Sequence, residues 1–124
     1  MDAICIRDLK RDLKKNMDES RYEHTLGVMY TCASLAMVHG YDLKDAQAAG
    51  LLHDSAKCIP NKKKRKMCEE HKIPVTEFEK THPFLLHAKL GAYVAEVKYG
   101  IKDKEILSSI TYHTTGRPDM SLLE

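Results

Sequence analysis

The sequence has no run of about 18 or more apolar residues, so it offers no segment that would span a bilayer as a helix. Its opening stretch, MDAICIRDLKRDLKK, carries charge from Asp2 onward and has no apolar core, so no secretory signal is expected. Charge is nearly balanced: +2 with neutral histidines, too weak a bias to point to nucleic acid as a partner. The four cysteines, at positions 5, 32, 58 and 68, form no CxxC pair. They read as reduced thiols of a cytoplasmic protein, each acting as a small buried apolar residue. Alternating strand patterns of useful length are missing, as are internal repeats and low-complexity segments, which leaves an all-α fold.

What is present suits one helical domain. The chain has 124 residues, 43% of them hydrophobic and 31% charged, enough for one core with a solvated surface. Ile6, Leu9, Leu13 and Met17 recur at three- and four-residue steps along a first helix. Asp18 or Ser20 can cap a second, from about 21 to 39, that Gly40 closes. Asp42 opens a third, expected to run to about Lys57 before Pro60 stops it. Asn61 can cap a short basic helix, KKKRKMCEEH, whose KKKRK run reads as a solvated face able to draw polyanions by its field. Thr76 starts a turn at TEFEK. Pro83 suits the first turn of a longer helix, FLLHAKLGAYVAEVKY, closed by Gly100. Asp103 begins KEILSSITYH, the turn TTGRP follows, and Ser121 has the character of one more helix cap.

Seven histidines punctuate these elements. His24 (RYEHTLGV), His53 (GLLHDSAK), His87 (LLHAKLGA) and His113 (SSITYH) lie in apolar or small-residue settings on four separate helices, which could turn them to a common point. His39 precedes a helix-ending glycine and suits a C-terminal cap. His71 lies in a charged segment and is expected in solvent; His82, before a proline, is ambiguous. Imidazole and carboxylate together suit zinc, iron, manganese and other first-row metals. Neighbours on a helix point about 100° apart. His53 can then serve one metal while Asp54 reaches between two, as in sites whose metals lie about 3.5–4 Å apart.

The order His24, His53-Asp54, His87 and His113 resembles the HD superfamily of metal-dependent phosphohydrolases, and more closely its YqeK-type subgroup. RYEHTLGVM, GLLHDSAK, LLHAKLGAYVA and ITYHTTGRPDMSLLE are similar to that subgroup's successive signatures and run from residue 21 to 124. The resemblance implies an HD-domain helical bundle over residues 1–124 and a binuclear centre, with iron foremost and manganese or other first-row metals as alternatives. It places metal ligands at His24, His53, Asp54, His87 and His113, with Asp54 as the bridge. It also implies symmetrical hydrolysis of diadenosine tetraphosphate to two ADP. The family pattern continues past SLLE into a helix with a further aspartate ligand. That segment is missing here, so the expectation is a domain lacking its last helices at the C-terminus, with one metal short of a ligand.

For such chemistry the catalytic group is His53, Asp54 and Lys57, the last one helical turn beyond His53. Lys57, Arg21 and Arg117 are candidate phosphate contacts, since a guanidinium binds phosphate bidentately and lysine acts as a point charge. Thr114, Thr115 and Gly116 are expected to shape the turn. The expected partner is a dinucleoside polyphosphate, with no nucleic acid and no membrane; oligomeric state, a homodimer included, stays open. Two other functions fit the same residues. One is an HD nucleotidase or phosphodiesterase acting on another nucleotide. The other is an inactive nucleotide-binding helical module.

Overall fold

The computed structural model describes residues 4–124, which hold seven α-helices and one 3₁₀ turn and, among those residues, no strand. The helices are α1 (Ile6–Asn16), α2 (Glu19–His39), α3 (Leu43–Leu52), α4 (Asn61–Glu70), α5 (Glu77–Thr81), α6 (His87–Val97) and α7 (Lys104–Tyr112); the 3₁₀ turn is Pro83–Leu86. No described helix is long and apolar enough to cross a membrane.

The caps act where side chains can reach unpaired helix N–H groups. The Asp18 carboxylate accepts from Arg21 N–H, so Asp18 rather than Ser20 starts α2. Asp42 does the same for α3 and Asp103 for α7. Thr76 and Glu79 form a reciprocal capping box on α5. Gly40 ends α2 at φ 71°, a left-handed conformation that costs glycine little. Ser121 and Glu124 also bond reciprocally, in capping-box fashion, but residues 121–124 hold no helical turn.

Two apolar clusters hold the helices together. The larger gathers Leu9 and Leu13 of α1, Met29 of α2, Leu51 and Leu52 of α3, and Ile106 and Ile110 of α7. Each fully buried leucine or isoleucine contributes about 2 kcal/mol of transfer free energy. The smaller, Ala56, Cys68, Leu86 and Leu90, fixes α4 and the 3₁₀ turn against α6.

Three further elements differ from the sequence-based expectation, and one device accounts for these three. Helix α3 stops at Leu52 instead of running to Lys57, and residues 53–58 form tight turns with i→i−3 bonds, Ser55 N–H to Leu52 O and Lys57 N–H to Asp54 O. His53 Nδ1 lies 2.7 Å from Gly50 O, the acceptor that the next α-helical N–H would use. The expected single helix from Pro83 is split: a 3₁₀ turn comes first, and His87 Nδ1 takes Phe84 O at 2.7 Å. Helix α7 ends one residue early, with His113 Nδ1 2.7 Å from Ile110 O.

Other residues depart as well. The basic run is not uniformly solvated: Lys64 is 3% exposed, on the stripe of α4 that carries Cys68, with its ammonium donating to Asn61 Oδ1 at 3.2 Å. Burial, with Lys57 nearby, lowers its pKa. Cys5 and Cys58 are exposed and Cys32 half-buried; only Cys68 takes the expected buried place. His71 is exposed, as expected, and stacks on Tyr93, while His82, left ambiguous by the sequence, stacks on Phe78.

Candidate metal centre

Asp54 follows α3 at the junction of α2, α6 and α7 and is 4% exposed. Its Oδ2 lies 3.4 Å from His24 Nε2 and 3.2 Å from His53 Nε2. Its Oδ1 lies 3.5 Å from both His87 Nε2 and His113 Nε2. The four imidazoles thus fall into two pairs, one on each carboxylate oxygen. Within the pairs, the Nε2 atoms of His24 and His53 are 3.3 Å apart, and those of His87 and His113 3.2 Å apart.

Tautomers follow from the carbonyl contacts. A carbonyl oxygen only accepts, so Nδ1 of His53, His87 and His113 carries the proton. In the neutral rings Nε2 is then a bare lone pair. His87 and His113 face each other lone pair to lone pair at 3.2 Å, an arrangement that needs a cation, proton or metal, beside it. Backbone carbonyls that fix the far nitrogen of a ligating histidine are a regular part of metal sites. The donor set fits two metal ions: His24, His53 and Asp54 can hold one, and Asp54, His87 and His113 the other.

Electrostatics favour a charged carboxylate at Asp54 and a neutral ring at His87. Burial alone would raise the Asp54 carboxyl, but hydrogen bonds that the His113 and His53 rings donate from Nε2 when doubly protonated outweigh it and hold the pKa well below the usual range. Burial pulls His87 down from its ordinary 6.5 to about 4, with the nearby Lys57 charge acting in the same direction. The unfolded chain therefore binds a proton at this imidazole below about pH 6.5 and the metal-free folded protein only below about 4. Between these values the unfolded state holds more protons, so stability should fall as pH drops through that window. Asp54 stays ionised throughout it. Thermal midpoints of metal-free protein at pH 7, 6, 5 and 4.5 would show this, with His87→Gln flattening the dependence; an unchanged slope in that variant would contradict it.

A cavity of about 530 Å³ opens beside the cluster, lined in part by Arg21, Lys57, Phe84 and Thr114. Of the expected phosphate contacts, Lys57 faces this cavity. Arg21 does too, with Nη1 3.1 Å from Asp54 Oδ2. Arg117 does not line it: its guanidinium sits over the Tyr112 ring and clamps Glu124 through Nε and Nη2, both at 2.6 Å. Thr114 belongs to the turn, as expected, yet its hydroxyl also lies 3.5 Å from His87 Nε2. Val28 and Phe84 line the cavity without having been singled out by the sequence. Each lies one helical turn from a clustered histidine, four residues after His24 and three before His87, and that spacing is the signal that would have found them.

Fold and site together define an all-helical domain with two histidine–carboxylate groups, each able to hold a metal ion. The HD domain family model matches residues 21–124, and the chain belongs to that family. It is 41% identical over 112 residues to the symmetrical bis(5'-nucleosyl)-tetraphosphatase of Bacillus subtilis (strain 168), covering 90% of this chain and 60% of that protein. The enzyme of the same description from Staphylococcus aureus (strain NCTC 8325 / PS 47) is 34% identical, with 96% of this chain and 61% of that protein covered. Among solved structures, a predicted HD superfamily hydrolase involved in NAD metabolism from Clostridium acetobutylicum superposes with a TM-score of 0.91 at 38% identity, over 97% of this chain and 64% of that one. The chain spans about three fifths of the length of the curated relatives it matches. HD membership carries dependence on divalent metal.

Proposed function

We propose that this chain carries the catalytic centre of a hydrolase that cleaves diadenosine tetraphosphate symmetrically to two ADP. One observation supports the reading above others: four Nε2 atoms aim at the two oxygens of one buried carboxylate, beside a cavity with a free-standing lysine. Relatives that match nearly all of the chain are named symmetrical bis(5'-nucleosyl)-tetraphosphatases. In this reading His24, His53, Asp54, His87 and His113 are the metal ligands, residues 1–124 form one HD unit, and iron is the resident metal, with manganese able to replace it. A bound metal pair supplies Lewis acidity and a water acidic enough to attack phosphorus at neutral pH.

The chain's own residues do the rest. Asp54 holds both sites in register, and the three carbonyl-anchored histidines keep their lone pairs turned inward. Lys57 takes up phosphate charge from the cavity wall. Arg21 shares its guanidinium between Asp54 and substrate; Arg117 reaches phosphate only after leaving Glu124. Four free cysteines agree with a cytoplasmic workplace. The test is direct: chain loaded with iron(II) or manganese(II) is mixed with diadenosine tetraphosphate and the products are separated. ADP as the only product is expected. AMP with ATP, or an untouched substrate beside a cleaved mononucleotide, would overturn the proposal.

A further inference from the structure

The cavity beside Asp54 carries at its edge an aromatic side chain that metal and phosphate chemistry do not need. Phe84 lines the cavity yet is 46% exposed. It is absent from both apolar clusters, so it does not serve the core. Its backbone is locked to the site, because its carbonyl anchors His87 Nδ1 at 2.7 Å.

The ring also has built support. The His82 ring stands edge-on to it, 6.2 Å between centroids at 76°. His82 in turn lies flat on Phe78, 4.1 Å between centroids and 12° between planes. The His82 ring is pinned at Nδ1, 3.0 Å from Phe78 O and 2.9 Å from Thr81 Oγ1. Behind them the Thr76–Glu79 capping box sets the start of α5. Three rings thus stand against one another, with Phe78 61% and Phe84 46% exposed, and Phe84, the one that reaches the cavity, shares its lining with Lys57 and Asp54. An aromatic face left open to water forfeits burial energy, and one supported by neighbouring rings in the same cavity as a lysine matches the two halves of a nucleotide: a flat base and a charged tail.

We propose that Phe84 is the stacking surface for one purine base of the substrate, with the phosphates running from it towards Lys57 and the Asp54 cluster. This rests on the nucleotide-hydrolase reading and adds to it the base subsite. Stacking tolerates any purine, so the Phe84 ring favours nucleotides over base-free polyphosphates without choosing between adenine and guanine.

The chain has no tryptophan, so Phe84→Trp places a single indole reporter at that position. Zinc-loaded protein, in which the metal does not itself quench, is titrated with ADP and, separately, with pyrophosphate. ADP should quench the indole emission and pyrophosphate should leave it unmoved. Phe84→Ala should weaken ADP binding about tenfold by calorimetry and leave pyrophosphate binding unchanged, while Phe84→Tyr keeps the wild-type preference. The proposal is overturned if the alanine variant weakens both ligands equally, if saturating ADP leaves the indole unmoved, or if the wild-type chain binds neither ligand. If ADP binding depends on Phe84 but diadenosine tetraphosphate is not cleaved, the reaction assigned above fails while the base subsite stands.

Discussion

Asp54→Asn should prevent metal binding and lower the proposed hydrolysis by about 10³-fold or more, a loss of at least about 4 kcal/mol of transition-state stabilisation. The carboxylate stands within 3.5 Å of four Nε2 atoms and 3.1 Å of Arg21. Asparagine keeps one acceptor oxygen, replaces the other with a donor that cannot ligate, and removes the only negative charge among these groups. Metal content by mass spectrometry should fall from two ions per chain towards none. The metal-free protein should also lose stability, because the fold holds the Asp54 carboxyl below its unfolded pKa and Arg21 loses its charged partner. The diagnostic readout is the rise in thermal midpoint on adding manganese(II): present in the wild-type chain, absent in the variant. An asparagine variant that still bound two ions at wild-type affinity would end the bridging model.

Gly50→Ala is expected to destabilise the fold by about 3 kcal/mol, or roughly 10–15 °C in thermal midpoint. A Cβ there would stand 2.9 Å from Met29 Cα and 3.2 Å from both Met29 N and Cys32 Sγ. The first two are backbone atoms, so no rotamer relieves the clash and α2 must move away from α3. The consequence reaches the site, because α2 carries His24 and the Gly50 carbonyl anchors His53 Nδ1. Metal affinity should therefore fall with stability. Gly27→Ala is the control: nothing lies within 4 Å of a Cβ at that position in α2, so the change should stabilise by about 0.5–1 kcal/mol. Denaturant titrations of the two variants should move in opposite directions. Equal shifts would show that the close approach of α2 and α3 does not limit the fold.

The helices were legible because their signals are local. Asp18, Asp42, Thr76 and Asp103 cap within three residues of themselves, and Gly40 ends α2 by its own backbone freedom. The histidine set was legible because His24, His53, His87 and His113 share an apolar setting and a family order. The ends of α3 and α7 and the start of α6 were not. Each is set by an imidazole that takes a carbonyl three residues back, and a ring turns that way only once the fold has fixed where its other nitrogen points. Lys64 defeated the reading for a related reason: inside a run of like charges, only the packing of α4 on the 3₁₀ turn decides which lysine faces inward.

By itself, then, the sequence determined an all-helical chain and singled out the histidines and aspartate that meet at the candidate site, since capping, periodicity and donor chemistry belong to residues and their near neighbours. The tertiary structure alone decided how those donors divide, two imidazoles to each oxygen of Asp54, and that Lys57 and Phe84 face the same cavity while Arg117 turns to Glu124. Those facts depend on angles between helices far apart in the chain, which the packing of the core fixes and no local pattern encodes.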